Sequence, residues 1–454
     1  MTSLLTRWER IVSRKGDCIA LLGFPENQQL SFRELDALSR EQAALLCQNL
    51  KDPASSIVAI QMESRIDWMI SFLAVLRAGA MVLPIDATST ASECERILSH
   101  MRCNAWFSRS GLQHLRDDTH PQLKRQGVHL FKVTSGSTST PKVIPFMQEQ
   151  MMADASNILE TMDIRASDIQ FATIPLGHSY GLGSLVFPFV MQGIALVFNS
   201  IPLPGIIARE LDLSRATVMP TIPGILQALA RSDSCQLPST LRLVVSAASP
   251  LSVEVALAFE SRFGLRIHNF YGSSETGGIA YDSTGNMLVC SGAVGAPLRN
   301  VTVEISKRGR IRVRSDAVFT IGNRNREKGQ GVQLLPDYGS LESGMLRLLG
   351  RSNRTVKHHG KRLDLAQIER ILLEHDAVNE AFVAYDEKRH RVVAAVVGTV
   401  SWESLCQFVE TQLAIWKRPK VIWITTNLPL TARGKPDRSA ILQGIASEGK
   451  KLQY

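Results

Sequence analysis

Helix-period segments and short apolar runs alternate through the first half of the chain, and this constrains the fold more than any other feature. Residues 31–50, SFRELDALSREQAALLCQNL, carry apolar side chains at helical spacing, whereas SIVAIQM (56–62) and AMVLPI (80–85) read as short buried strands. The alternation continues through ALVFNSI (195–201), RATVMPTIPGILQAL (215–229) and LRLVVSAASP (241–250), with no fixed-period repeat and no long low-complexity linker. Strands interleaved with helices predict the α/β class. A Gly, Ser and Asn turn near 350–354 divides a large N-terminal domain of layered α/β subdomains (1–350) from a small α+β C-terminal domain (355–454), with 351–354 between them.

Composition narrows the setting. Apolar residues make up 44% and charged residues 20%, far from the signature of disorder, so most of the 454 residues are expected to fold. Seven cysteines lie scattered without a C-x-x-C pair or matched His spacing, which argues against a disulfide framework or a zinc site and fits a reducing cytoplasm. The first residues, MTSLLTRWERIVSRKG, lack an apolar core with a small-residue cleavage site, and no uncharged run approaches the ~20 residues of a membrane span. The expected protein is cytoplasmic, neither exported nor membrane-spanning. The formal net charge of +9 calls for anionic partners, and nucleic acid, acidic headgroups or a polyphosphate nucleotide would each answer it.

Val133-Thr134-Ser135-Gly136-Ser137-Thr138-Ser139-Thr140-Pro141-Lys142 follows an apolar stretch and packs hydroxyls, a glycine and a terminal lysine into ten positions. Backbone N–H groups of a tight Gly-containing turn form an anion-binding concavity, the hydroxyls add donors, and the lysine adds compact positive charge. A polyphosphate fits such a loop, and so does a solvated polar turn. A Walker-type P-loop does not, since Pro141 and Val143 flank the lysine where Gly and Ser or Thr are required.

The loop resembles the T-S-G-[ST]-T-G-x-P-K-G pattern of the adenylate-forming superfamily, which includes acyl-CoA synthetases, 4-coumarate-CoA ligase-like enzymes, luciferases and non-ribosomal peptide adenylation domains. Ser139 and Val143 replace two of its glycines. Further matches follow in family order. Pro175-Leu176-Gly177-His178-Ser179-Tyr180-Gly181-Leu182 is similar to the segment that lines the acyl pocket and gates it with His178. Ser246-Ala247-Ala248-Ser249-Pro250-Leu251 resembles S-G-A-A-P-L, which implies Ser246 and Ala247 in the acid pocket and Ala248 against adenine.

Asn269-Phe270-Tyr271-Gly272-Ser273-Ser274-Glu275 is similar to the family's Y-G-x-T-E segment. The resemblance implies nucleotide contacts from Asn269, Phe270 and Gly272, adenine stacking by Tyr271, an α-phosphate contact from Ser274, and magnesium held by Glu275. One glutamate suffices, because Mg²⁺ takes one or two carboxylates and fills its shell with phosphates and water. Asp337 stands at the ribose-binding aspartate, with Pro336 in place of glycine, and Arg351 is implied as a second ribose contact. Asn353 occupies the hinge position within 351–354. Lys357, His359 and Gly360 fall in a basic K-x-x-G element that implies contacts to nucleotide and thiol acceptor, and Lys435 matches the adenylation lysine of L-P-x-T-x-x-G-K-x-D-R.

The resemblance implies a two-step activity. A carboxylic acid, fatty or aryl, attacks the α-phosphate of ATP and expels pyrophosphate, with Lys435, Lys142, Ser274, Glu275, Mg²⁺ and the Thr134–Thr138 loop supplying position and positive charge. The C-terminal domain is mobile and turns at the hinge, and a thiol takes the acyl group, from coenzyme A or from the phosphopantetheine of an acyl carrier protein. No protein nucleophile is needed. The glycines at 181–183 and 277–278, Gly277 among them, predict room for an apolar or aromatic chain, and the motifs supply no acidic residue for an α-amino group. Two other readings remain at this point: a degenerate protein that binds nucleotide or acyl adenylate without turnover, and a nucleic-acid binder, which 6% aromatic residues and the lack of a reader motif disfavour.

Overall fold

The computed structural model describes residues 3–25, 27–134, 142–232, 235–286, 292–322, 326–327, 329–351, 355–358, 361–386, 389–413, 415–431 and 436–452. The first predicted helix forms over Phe32–Asn49 because its start is doubly capped. Ser31 accepts from the Glu34 backbone while the Glu34 carboxylate reaches back to the Ser31 N–H at 2.8 Å. Phe32, Leu35 and Leu46 are buried along one face.

Ile57–Ile60 is buried on both faces, since it pairs in parallel with Met81–Pro84 on one side and Ala105–Ser108 on the other. That placement explains a continuous apolar run where a half-exposed strand would alternate. The same sheet continues into β1 (Val128–Thr134) and β2 (Lys142–Met147), which pair antiparallel with Thr134 opposite Lys142. The two ends of the hydroxyl-rich loop therefore meet. Helix α1 (Gln148–Met162) follows at once.

A second, larger sheet carries parallel strands Ile19–Gly23, Ala195–Phe198, Ile169–Ala172 and Val218–Thr221, then β3 (Leu243–Ser246) and β4 (Ile267–Ser273). Beyond β4 the pairing turns antiparallel through β5 (Gly277–Tyr281), with a register shift between Tyr271 and Gly272. Ala293–Pro297, Met345–Arg351 and Gln330–Glu342 extend it. Helix α1 packs against both β1 and β5, so it lies where the two sheets face each other.

The chain beyond this sheet has its own core. A hairpin of Thr355–His358 and Lys361–Asp364 leads into helix Leu365–Leu373 and a sheet of Val378–Asp386, Arg391–Gly398, Val421–Thr425 and Lys450–Lys451. Leu363, Ile368, Val383, Val396, Leu405 and Ile422 are buried together there. This mixed α/β organisation, with a large N-terminal and a small C-terminal unit, agrees with the expected fold class. Arg351, the first of the four residues expected between the units, is the last of its strand and lies opposite Asp337. Residues 352–354 lie outside the described residues. No helix among the described residues is long and apolar enough to cross a membrane.

Candidate active site

The site is built where β2 and the β4–β5 hairpin converge. Lys142 opens β2, and its Nζ lies 3.0 Å from Oε1 of Glu275, a residue 133 positions away. Glu275 sits in the turn between β4 and β5, a turn held by a 3.0 Å hydroxyl contact from Ser273 to Thr276. The turn admits little else: a Cβ on Gly272 would stand 2.7 Å from the carbonyl oxygen of Gly277. Beside Glu275, Ser274 accepts a 2.9 Å hydrogen bond from Ser179, which ties the hairpin to the segment after His178.

His178 is oriented from a different strand. Its Nε2 lies 2.6 Å from Oδ2 of Asp86, just past Met81–Pro84, while Oδ1 accepts from the Thr88 N–H and hydroxyl at 2.9 and 2.7 Å. Burial opposes the Asp86 charge, but the hydrogen bonds from His178 and Thr88 more than offset it and hold the carboxyl well below the usual range. A carboxylate depressed in this way stabilises the fold above the ordinary carboxylate range, and that contribution is lost as pH falls through the lowered value. Asp86→Asn is therefore expected to melt below wild type at pH 7, with the gap closing as the buffer is taken below about pH 4. A gap independent of pH would sink this account of Asp86.

Beneath Glu275 lies a buried pair that sequence motifs did not register. Lys132 points inward from β1 with 1% of its side chain exposed, and Asp154 of α1 meets it with 3% exposed, Nζ to Oδ2 3.8 Å. Asp154 Oδ1 accepts from the Gly278 N–H at 2.8 Å, and Lys132 Nζ stands 4.4 Å over the Phe146 ring. Among the described residues Lys132 Nζ has no hydrogen-bond partner. Burial drives Lys132 down, against the attraction of Asp154 and Glu275, and drives Asp154 up.

The same carboxylate corrects the expectation for the glycines. A Cβ on Gly183 would stand 2.9 Å from Asp154 Oδ2, and one on Gly277 would stand 2.2 Å from Oδ1. The space cleared at 183 and 277 is thus taken by an acidic side chain rather than left for an apolar one. Gln150, Asp154 and Asn157 form a buried polar stripe at helical spacing on α1. That stripe was the available signal, since polar residues at such spacing ordinarily face water.

Comparisons with known proteins bear on this geometry. Residues 8–318 match the family described as AMP-binding enzyme, and residues 367–435 match its C-terminal domain. The chain belongs to the AMP-binding enzyme family. It is an adenylate-forming protein of the acyl-CoA synthetase type. Oxalate–CoA ligase of Arabidopsis thaliana is 24% identical over 91% of this chain and 93% of its own length. The 4-hydroxybenzoate–CoA/benzoate–CoA ligase of Rhodopseudomonas palustris is 25% identical over 90% of this chain and 88% of its own. Among solved structures, O-succinylbenzoate coenzyme A synthetase from Bacillus subtilis in complex with AMP superposes with a TM-score of 0.80 at 19% identity, covering 99% of both chains.

Within this AMP-binding enzyme the expected residues are distributed as follows. Asn269 is buried, donating to the Ala293 carbonyl at 3.2 Å, and Tyr271 is half-buried on β4. The Phe270 ring lies in the core 5.8 Å from the Tyr180 ring and against Gly278, so its backbone is what it can offer a nucleotide. Ala248 is exposed at φ +73°, an uncommon conformation for a residue with a Cβ, just after β3. Ser246 is fully buried and, among the described residues, its Oγ has no hydrogen-bond partner, while Ala247 is buried beside it. Asp337 is half-buried. Thr134, Arg351 and Lys357 are defined by strand position alone. Ser135, Gly136, Ser137, Thr138, His359, Gly360 and Lys435 lie outside the described residues.

The residues fit a magnesium ion held mainly by phosphate oxygens. Among the described residues no group of three His, Cys, Asp or Glu side chains could cage a metal. Glu275 is instead a single part-exposed carboxylate, which matches the way Mg²⁺ keeps water and phosphate ligands.

Proposed function

We propose that this AMP-binding enzyme joins an aryl or other small carboxylic acid to the thiol of coenzyme A, through an acyl-adenylate and with release of pyrophosphate. The observation that carries the reading is the 3.0 Å ion pair between Lys142 and Glu275, which brings the end of the hydroxyl-rich loop onto the one acidic residue of the β4–β5 turn. A cation-bearing strand and a carboxylate facing one point suit a polyphosphate with a divalent ion. Bound Mg²⁺ would supply charge neutralisation on the phosphates.

Adenylation sets two anions against each other, so the chain must hold them in line and offset charge on the α-phosphate and the leaving pyrophosphate. Lys142 supplies compact charge at the loop's end, Ser274 a hydroxyl fixed by Ser179, and Lys435 the second cation. His178, fixed by Asp86, guards the acid entrance. For the substrate class, the two relatives described above, each matched along most of its length, are named for oxalate and for benzoates, which supports small and aryl acids over fatty ones. For the acceptor, the same relatives are named as CoA ligases. Bacitracin synthase 3 of Bacillus licheniformis, of which this chain spans 7%, keeps carrier-bound phosphopantetheine as the second reading.

Acid-dependent exchange of labelled pyrophosphate into ATP tests the proposal. Wild type is expected to exchange with a subset of aryl or short acids, and Lys435→Ala to lose about 100-fold or more of that rate while still binding ATP. Equal exchange in both proteins would remove Lys435 from the chemistry. No exchange with any acid would leave a nucleotide-binding protein without turnover.

A further inference from the structure

We infer that His178 is the general base of the second half-reaction, taking the proton of the incoming thiol, and that Asp86 positions it for that task. The inference rests on the proposed transfer to a thiol and goes beyond a ring that guards the acid entrance. The dyad is assembled from two distant segments. Asp86 lies just past Met81–Pro84, His178 precedes Ser179, and Nε2 meets Oδ2 at 2.6 Å across 92 residues. One residue on, Ser179 donates to Ser274 at 2.9 Å, so the imidazole stands beside the turn that carries Glu275. The charged groups around it are therefore Asp86, in contact, and Glu275 with Lys142 on the far side of that hydrogen bond.

The pair is built to take up a proton. Asp86 is an ionised carboxylate that can only accept, so Nε2 carries the ring proton and Nδ1 keeps a lone pair. Among the described residues Nδ1 makes no hydrogen bond. The carboxylate side chain is 8% exposed and anchored by the Thr88 N–H and hydroxyl, whereas the imidazole is 28% exposed, so the orienting group is buried and the working group can be reached. A fixed carboxylate behind a reachable imidazole is the arrangement that activates a nucleophile in acyl transfer. A ring that only screened the entrance would need bulk and no such anchor. The reaction needs a base, since a thiol with its ordinary pKa of about 8.5 is only about 3% ionised at pH 7. In the step inferred, the thiol sulfur attacks the carbonyl carbon of the acyl-adenylate and the C–S bond forms. The bond from that carbon to the phosphate oxygen breaks, and AMP leaves with its electron pair. The thiol proton passes to Nδ1, Asp86 holds the imidazolium, and the proton then returns to water.

Single-turnover transfer from enzyme-bound acyl-adenylate to coenzyme A, set beside pyrophosphate exchange on the same preparations, tests this. The acid used is the one that wild type exchanges fastest. His178→Phe keeps the bulk of the ring without a base. Asp86→Asn keeps the ring but lets an amide donate to Nε2, which moves the ring proton to Nδ1. At pH 7 each variant is expected to lose about 100-fold or more in transfer beyond whatever it loses in exchange. Between pH 7 and pH 9 that deficit is expected to shrink by about tenfold or more, because the thiol then ionises without help. Melting reports whether each variant is folded, and His178→Gln repeats the comparison if His178→Phe is not. The inference is overturned if transfer and exchange fall together, if His178→Phe transfers as wild type does, or if the deficit is the same at pH 7 and pH 9. Wild type that exchanges but acylates no thiol would overturn it together with the thiol acceptor. Exchange with no acid would bring down the adenylation reading itself, an outcome distinct from transfer that ignores His178.

Discussion

Glu275→Gln is expected to lower acid-dependent pyrophosphate exchange by about 100-fold or more while leaving the melting temperature nearly unchanged. The separation of effects follows from where the carboxylate sits. Its partner Lys142 is 59% exposed, so the 3.0 Å pair is screened by solvent and contributes little to stability. Its proposed task, to hold charge beside the phosphates, depends on a full negative charge that the isosteric amide lacks. Exchange and melting measured on the same preparation check both halves. Glu275→Asp should recover part of the activity, and should demand more magnesium, because the shorter arm keeps the charge and loses the reach. A glutamine variant as active as wild type would show that the residue serves the turn and not the phosphates.

The largest expected loss of stability comes from a single added methyl group. Gly277 has φ +72°, and a Cβ there would overlap the Asp154 carboxylate, at 2.2 Å from Oδ1 and 2.3 Å from Cγ. Gly277→Ala therefore pays twice: about 1–2 kcal/mol for a left-handed backbone conformation, and more for driving Asp154 off Gly278 and away from Lys132. Separating one member of a buried pair costs about 3–5 kcal/mol. Urea midpoints should show most of that sum in the wild-type background. In Lys132→Met/Asp154→Ala, where the carboxylate is gone, the same glycine change should cost only the backbone part. Equal losses in both backgrounds would mean that the overlap is relieved elsewhere and that the pair does not occupy the clearing.

Much of the architecture was legible before any tertiary information. The helix Phe32–Asn49 and the buried strands Ile57–Ile60 and Met81–Pro84 form where periodicity placed them, and the alternation of strand and helix continues through residues 215–229 as Val218–Thr221 and Pro223–Arg231. They were readable because each depends on neighbours within one turn or one strand: a Ser31–Glu34 cap, a run of Ile and Val. The glycine clearings were also visible as glycines, but what fills them was not.

The chain's sequence by itself determined its family, the order of its motifs and the α/β class, and it singled out Lys142 and Glu275 as candidates for one site. Only the tertiary structure decided what surrounds them. Asp86 reaches His178 across 92 residues, Lys142 reaches Glu275 across 133, and Asp154 reaches Gly278 across 124. Separations of that size are set by which strands become neighbours in a sheet and which helix face turns inward, and no local pattern encodes them. Asp154 is the clearest case. Its helix presents Gln150, Asp154 and Asn157 on one side, which water would normally claim, and the packing of α1 against β1 and β5 buries that side instead. Burial makes an ordinary aspartate and an ordinary lysine depend on each other, because charge is inexpensive in water and must find a partner where water is excluded.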